Sequence, residues 1–79
     1  MTTSIKIDNI SATNLWFDKE KLVVQLSDGR EIATPLTWFP TLLKANENQK
    51  LNWRFIGHGR GIHWEDLDED ISVAGLLKS

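Results

Sequence analysis

Residues 22–34 read LVVQLSDGREIAT and carry the clearest structural signal in the chain. Leu22, Val24 and Leu26 alternate with their neighbours, which is typical of a strand that buries one face. Asp28-Gly29 follows, and this pair is a strong hairpin signal because glycine accepts the positive φ of a tight turn. The stretch therefore predicts two antiparallel strands with these three side chains toward the core.

A third strand is predicted ahead of this hairpin. Residues 10–17 have the composition of a strand, and strict alternation places four side chains on one face, namely Ile10, Ala12, Asn14 and Trp16. Residues 18–21 are polar and of hairpin length. Residues 31–34 form the returning strand, which Pro35 ends. The result is a three-stranded antiparallel meander, and a further short strand is predicted at residues 4–7.

A helix is predicted after the meander. Thr37 is the expected N-cap of a helix over residues 38–45, with Pro40 in its first turn, where a missing N–H costs nothing. Three apolar residues share one face at helical spacing, namely Trp38, Leu42 and Ala45. Residues 46–50 are polar and predict a connector.

A strand pair and a short helix are predicted in the last third. Residues 51–56 alternate, residues 57–61 indicate a glycine-rich hairpin or bulge, and residues 62–64 resume extended structure. Ser72 is the expected N-cap of a helix over residues 73–77. The predicted fold is α+β: a three-stranded antiparallel meander, a helix, a further strand pair and a short C-terminal helix.

The length and composition predict one small globular domain over residues 1–79. The chain is 41% hydrophobic and 25% charged and has no cysteine, which excludes intrinsic disorder, disulfides and cysteine zinc sites. The N-terminus has no apolar signal-peptide core, and no apolar run is long enough to span a bilayer. We therefore expect cytoplasmic localisation and no membrane partner.

Charge is divided unevenly along the sequence. Residues 65–79 carry five carboxylates and one lysine, whereas residues 1–64 carry six acids and eight bases of interspersed sign. Nucleic-acid binding needs several cations on one face, so we expect no direct nucleic-acid partner. The acidic segment, defined as residues 65–70, would instead attract a basic protein.

The acidic segment also resembles the start of a calcium loop. Asp66, Asp68 and Asp70 occupy the first, third and fifth positions, but Ile71 stands where such a loop requires glycine, and Leu77 stands where it requires glutamate. We therefore expect no metal and no other cofactor here. A structural role is also predicted, because carboxylates just before a helix N-terminus favour the helix dipole.

Catalytic motifs are not evident in the sequence. His58 and His63 are five residues apart, which places them on opposite faces of a strand, and no nucleophile motif is present. Residues 57–61 are followed by extended structure, whereas a phosphate-binding loop is followed by a helix. We expect a protein that is not an enzyme, with a hydrolase or metal protein using both histidines and the acids as a weaker alternative.

Aromatic residues are numerous for so short a chain, with four Trp and three Phe. They could form the core, since a tryptophan buries a large area. Alternation cannot bury both Trp16 and Phe17, however, so at least one aromatic side chain is expected at the surface. Exposed aromatics rimmed by charge are typical partner anchors, and both roles stay open for Trp16, Trp38 and Trp64.

The string GIHWEDLDEDISVAGLL at residues 61–77 resembles the signature of a small bacterial family, domain of unknown function 2442. The family pattern of a Trp, then D-L-D-E-D-I-S-V, then a Leu pair falls on Trp64, residues 66–73 and Leu76-Leu77. The resemblance implies a compact α+β domain. It also implies gene neighbours of domain of unknown function 4160, an arrangement that suggests a toxin–antitoxin pair. Some relatives carry an added helix-turn-helix domain; we expect no DNA binding by that route here.

The sequence thus predicts a non-enzymatic protein-binding module, an antitoxin-like partner of a small basic protein. The expected contact residues are the tryptophan and the carboxylates of one stretch, namely Trp64, Glu65, Asp66, Asp68, Glu69 and Asp70. The carboxylates would orient a cationic surface, and the tryptophan would anchor it. The alternative is a structural or regulatory accessory domain that forms a homodimer through an edge strand of the meander.

Overall fold

Residues 10–78 fold as two three-stranded antiparallel sheets. The computed structural model describes residues 10–78, and the strand predicted at residues 4–7 lies outside them. The first sheet has the order β1 (Ala12–Asp18), β2 (Lys21–Leu26) and β3 (Glu31–Pro35). The second has the order β4 (Trp53–Ile56), β5 (Gly61–Trp64) and β6 (Glu69–Ser72). The predicted strand pair is therefore part of a sheet that has three strands within residues 10–78.

Short helices lie between the two sheets in the sequence and after the last strand, and they confirm the α+β class. The α-helices are α1 (Pro40–Leu43), α2 (Glu47–Leu51) and the C-terminal α3 (Val73–Leu77). Two 3-10 turns, Leu36–Trp38 and Glu65–Leu67, precede α1 and β6.

The β2–β3 hairpin forms as predicted. Leu22, Val24 and Leu26 are all buried, and Gly29 adopts a φ of +94° in the turn. The Asp28 carboxylate accepts the Arg30 backbone N–H at 3.1 Å and also pairs with the Arg30 guanidinium at 2.7 Å. These contacts lower the pKa of Asp28. Turn chemistry and strand alternation thus support the same register.

Strict alternation along β1 is a wrong prediction, because a β-bulge interrupts the strand. Ala12 pairs with Leu26 and Asn14 pairs with Gln25, so Thr13 is the extra residue. A bulge reverses the direction of the side chains that follow it. The four residues predicted to share a face are therefore divided: Ile10 and Ala12 are buried, Asn14 and Trp16 are exposed, and Leu15 is buried beyond the bulge.

The predicted single helix over residues 38–45 is interrupted at Phe39. The first part is a 3-10 turn ending at Trp38, and α1 begins at Pro40. A residue before proline is pushed out of the helical region, and Phe39 has φ −128° and ψ 80°. Trp38 consequently does not share a helix face with Leu42; Leu42 is fully buried and Trp38 is 55% exposed.

The predicted connector at residues 46–50 is also wrong, because it contains α2. Asn46 Oδ1 accepts the Gln49 backbone N–H at 2.8 Å, and Gln49 Oε1 accepts the Asn46 N–H at 3.0 Å. This reciprocal capping box starts the helix. Leu51 ends α2 in an exposed position, so the alternating stretch predicted over residues 51–56 is a strand only from Trp53.

The β4–β5 hairpin joins the second sheet to the first. Its turn has positive φ at Gly57, His58 and Gly59, as expected for a glycine-rich hairpin. The Gly59 carbonyl accepts the Ala12 N–H at 2.7 Å, and the Arg60 carbonyl accepts the Val73 N–H at 2.9 Å. The hairpin tip is therefore bonded to β1 on one side and to the start of α3 on the other.

The core contains residues of both sheets, of the connection between β3 and β4, and of α3. Side chains at or below 2% exposure are Leu22, Val24, Leu26, Leu36, Leu42, Ile62, Trp64 and Val73. Phe17, Trp53 and Phe55 pack against this core while remaining partly accessible. The aromatic residues therefore serve mainly as core.

Candidate functional site

The acidic segment is not a simple turn before the last helix. Glu65 and Asp66 lie in a 3-10 turn, and Asp68 has the left-handed φ of +51° that redirects the chain into β6. Glu69 and Asp70 belong to β6. The first turn of α3 contains no acid, and Ser72 Oγ caps it by accepting the Gly75 N–H at 2.9 Å. The Ser72 cap is therefore confirmed, and Asp70 lies two residues before it; the interaction of the acids with the helix dipole stays a prediction.

His63 contacts two carboxylates of the acidic segment, one with each ring nitrogen. Its Nδ1 lies 2.5 Å from Asp70 Oδ1, and its Nε2 lies 3.1 Å from Glu65 Oε1. His63 and Asp70 are paired across β5 and β6 and face the same side of the sheet. Carboxylates only accept hydrogen bonds, so this arrangement suits an imidazolium that donates from both nitrogens.

The surroundings of His63 favour its charged form. The hydrogen bond to Asp70 is the main cause that raises the pKa of His63 above 6.5, and desolvation opposes it; the charge of Asp70 and the contact with Glu65 add to the increase. Because the folded-state pKa is raised, this interaction stabilises the fold at low pH and is lost as pH rises through that pKa.

The remaining carboxylates differ in how far they are engaged. Arg54 Nη2 lies 3.3 Å from Glu65 Oε1, and both side chains are 65% exposed. Asn52 Nδ2 donates to Asp66 Oδ2 at 3.0 Å. Within residues 10–78, no side-chain hydrogen bond or ion pair reaches Asp68 or Glu69. Within residues 10–78, one arginine and one histidine thus pair with two of the five carboxylates, so the charge of the acidic segment is only partly balanced.

Trp64 does not belong to this surface. Its side chain is fully buried, and its indole N–H donates to the Lys50 carbonyl at 3.0 Å. It faces the inner side of the sheet, opposite Trp53 on β4 and Glu69 on β6. The prediction that Trp64 anchors a partner is therefore wrong, and Trp64 is a core residue of this chain.

An open groove of about 270 Å³ lies beside the acidic segment. Trp38 and Phe39 line one side, and the residues of the β6–α3 region line the other, namely Asp70, Ile71, Ser72, Gly75 and Leu76. Trp38 is the most exposed of the surface aromatics, at 55%, compared with 37% for Trp16. The structure thus brings an accessible tryptophan to the Asp70 end of the acidic segment.

The groove was not predicted from the sequence, although one signal was present. Pro40 two residues after Trp38 disfavours a helix through Phe39, and the resulting break turns Trp38 outward. The part of the groove lined by β6 could be predicted only if residues 69–72 were expected to form a strand. Acidic residues are uncommon in strands, so this element gave no signal by composition.

The histidines and the remaining acids do not form a metal centre in the described part of the chain. His58 lies in the exposed β4–β5 turn, and both nitrogens of His63 contact carboxylates. No group of three or more His, Cys, Asp or Glu side chains within residues 10–78 is placed to hold a metal ion. Over the same residues, no helix has the length and apolar character needed to cross a bilayer.

Comparison with known proteins identifies the family. The sequence model of the family described as protein of unknown function (DUF2442) matches residues 12–79. The chain belongs to this family. The DUF2442 match thus spans both sheets, the acidic segment and α3. A search of the curated proteins finds no match.

A solved structure supports the DUF2442 fold. The crystal structure of a protein of unknown function from Rhodospirillum rubrum is similar to this chain, with a TM-score of 0.75 and 31% sequence identity. The similarity covers 87% of this chain and 86% of that chain. The two-sheet arrangement therefore has a counterpart in a relative of nearly the same extent.

Proposed function

We propose that this DUF2442 protein is a non-enzymatic protein-binding module, an antitoxin-like partner that neutralises a small basic protein. The observation that supports the proposal most is the position of the groove. Its exposed Trp38 lies across from Asp70, at the end of an acidic segment whose charge is only partly balanced within the chain. An aromatic residue rimmed by charge is the usual composition of a binding hot spot.

The two parts of the surface have different tasks in this proposal. The exposed Asp68 and Asp70 attract and orient a cationic surface, which increases the association rate. Trp38 then buries its exposed face against an apolar group of the partner, which slows dissociation. Trp38 thereby takes the role that the sequence had suggested for Trp64. The gene neighbourhood implied by the family resemblance agrees with a toxin as the partner.

Co-purification from the native host tests the proposal. A tagged full-length chain is expected to retain a small protein of basic isoelectric point, identified by mass spectrometry. The purified pair is then measured by surface plasmon resonance against Asp68→Lys with Asp70→Lys. We expect slower association for this variant and a weaker dependence of the rate on salt.

A matched variant controls for net charge. Glu20→Lys with Glu31→Lys changes the charge by the same amount at two exposed positions outside the acidic segment. It is expected to bind nearly as tightly as the unaltered chain. Trp38→Ala is expected to increase the dissociation rate, with urea midpoints confirming that every variant is folded. Equal binding by both double variants would contradict the proposal.

A homodimer is the second candidate, and β1 supplies the observation in its favour. This strand is at an edge of the first sheet and carries Trp16, which is 37% exposed. Strand edges are common sites of pairing between copies. Multi-angle light scattering at tens of micromolar, compared with Trp16→Lys, decides this candidate: a monomer in both cases rejects it.

A further inference from the structure

We propose that the outer edge of β6, with which no strand within residues 10–78 pairs, takes an extended, alternating basic and apolar segment of the partner as a fourth strand of the second sheet. This inference rests on the proposed function and specifies how the groove is used. β6 is at the end of the β4-β5-β6 order, and the groove with Trp38 and Phe39 follows its outer side. Strand addition at such an edge is a recurring mode of peptide recognition.

The hydrogen bonding of the β5–β6 ladder determines which groups point outward. Val73 N–H donates to the Arg60 carbonyl at 2.9 Å, which makes Val73 a hydrogen-bonded position of the ladder. Ile71, two residues before Val73, pairs with Ile62 and is the next such position. Hydrogen-bonded residues alternate in an antiparallel ladder, so the backbone groups of Asp70 and Ser72 face away from β5. No strand within residues 10–78 pairs with them.

The outward groups are sufficient to hold one short strand. Asp70 offers both its N–H and its carbonyl, and Ser72 offers its N–H. The Ser72 carbonyl is directed into α3, since an N-cap residue accepts the first helical bond. A partner residue opposite Asp70 would exchange two hydrogen bonds with it. The Ser72 N–H would donate a third hydrogen bond to the partner, which extends the pairing by two residues.

Side-chain alternation then determines the sequence class of the segment. A residue opposite Asp70 lies on the same face as that carboxylate, which is 66% exposed, so a lysine or arginine fits there. Its sequence neighbour points to the other face. The groove beside β6 is lined by the apolar side chains of Trp38, Phe39, Ile71 and Leu76, which favours an apolar side chain at that position.

Charge distinguishes this occupant from a second copy of the chain. Pairing of β6 with β6 of another molecule would bring Asp68, Glu69 and Asp70 close to the same carboxylates, and like charges across strands are destabilising. Within residues 10–78, the only cationic groups that contact the acidic segment are Arg54 and His63. A basic segment supplies the charge that is missing.

A set of three peptides tests strand addition by NMR. The probe is a capped peptide of alternating lysine and valine, added to the full-length ¹⁵N-labelled chain. One analogue has N-methyl groups on its lysines, whose N–H groups would face β6; the other has them on its valines, whose N–H groups would face solvent. Both analogues keep the same charge and nearly the same apolar surface.

The expected result is binding of the parent and the N-methyl-valine peptide, with the Asp70 and Ser72 amides protected from exchange. The N-methyl-lysine peptide should bind about tenfold or more weakly, because its hydrogen bonds to the edge are lost. Equal binding by all three peptides, or no binding of the parent, would overturn strand addition. The proposed function would still be tested separately, by whether a small basic protein co-purifies with the chain.

Exchange in the free chain provides an independent check. We expect the Asp70 and Ser72 amides to exchange rapidly without peptide, because the edge is open. Slow exchange would mean that the edge is already paired. That outcome would also overturn the inference.

Discussion

Replacing Gly59 with alanine should destabilise the protein strongly, and Gly29→Ala provides the matched control. Both glycines have a positive φ, +85° for Gly59 and +94° for Gly29. The left-handed backbone costs an alanine about 1–2 kcal/mol at either position. A Cβ on Gly29 would meet nothing within 4 Å, whereas one on Gly59 would lie 2.9 Å from the Ala12 carbonyl oxygen and 3.0 Å from Ser11 Cβ.

The additional loss of stability at Gly59 comes from the close approach of the new Cβ to Ala12 and Ser11. Overpacking against backbone costs about 1–3 kcal/mol. Relief of the clash would lengthen the 2.7 Å bond from Ala12 N–H to the Gly59 carbonyl, whose net contribution is about 1 kcal/mol. We expect Gly59→Ala to lose about 2–4 kcal/mol more than Gly29→Ala, a large part of the stability of a domain this size, about 4–12 kcal/mol.

Urea unfolding followed by tryptophan fluorescence measures both variants. The m-value should stay unchanged while the midpoint falls further for Gly59→Ala. Equal free energies of unfolding for the two variants would refute the reasoning, because the backbone cost would then be the whole effect and the contact with β1 would contribute nothing.

Three further perturbations test other parts of the structure. Trp64→Phe should cost about 2–4 kcal/mol, since it leaves a void and removes the donor to the Lys50 carbonyl; Trp38→Phe should stay within about 0.5 kcal/mol in urea melts, and equal losses would contradict the buried position of Trp64. His63 should titrate above pH 6.5 in an NMR pH series, and Asp70→Asn should lower its midpoint. Stability attributable to His63 should therefore be fully present below pH 6.5 and decline as pH rises through the folded-state pKa; a midpoint at or below 6.5 would disagree. Ser72→Ala should cost about 1 kcal/mol through loss of the α3 cap, and Ser72→Asp should restore most of it; no recovery with aspartate would argue against capping.

The sequence was most informative where local chemistry and burial agree. The alternation of Leu22, Val24 and Leu26 and the turn at Asp28-Gly29 specify the same hairpin, and the structure contains it. Ser72 likewise caps α3, because its hydroxyl is at the N-terminus of a segment that buries Val73 and Leu76. In these places a short stretch determines its own conformation.

Two errors came from local signals that compete with side-chain periodicity. Pro40 permits a helix to start but prevents one from passing through Phe39, and the apolar spacing concealed this. Asn46 and Gln49 form a capping box in a stretch whose polarity suggested a connector. Both signals are visible in the sequence once they are given more weight than the hydrophobic pattern.

The remaining errors depend on tertiary structure. The bulge at Thr13 follows from the register of β1 against β2, which alternation alone does not specify. β6 forms because Ile71 pairs with Ile62 in the core, although carboxylates surround it. The same pairing directs Trp64 inward, so the candidate site could be located in the sequence as an acidic segment, but its aromatic member, Trp38, could not.

Hairpin tips are usually the positions where homologous proteins tolerate extra residues and where an engineer would insert a tag or open new chain ends. The two tips of this protein are not equivalent in that respect. The tip at Gly59 and Arg60 is bonded to both β1 and α3, so an insertion there would separate the sheets. The tip at Asp28 and Gly29 is exposed and, within residues 10–78, hydrogen-bonds only to its own hairpin, so it is the place to attach an affinity tag.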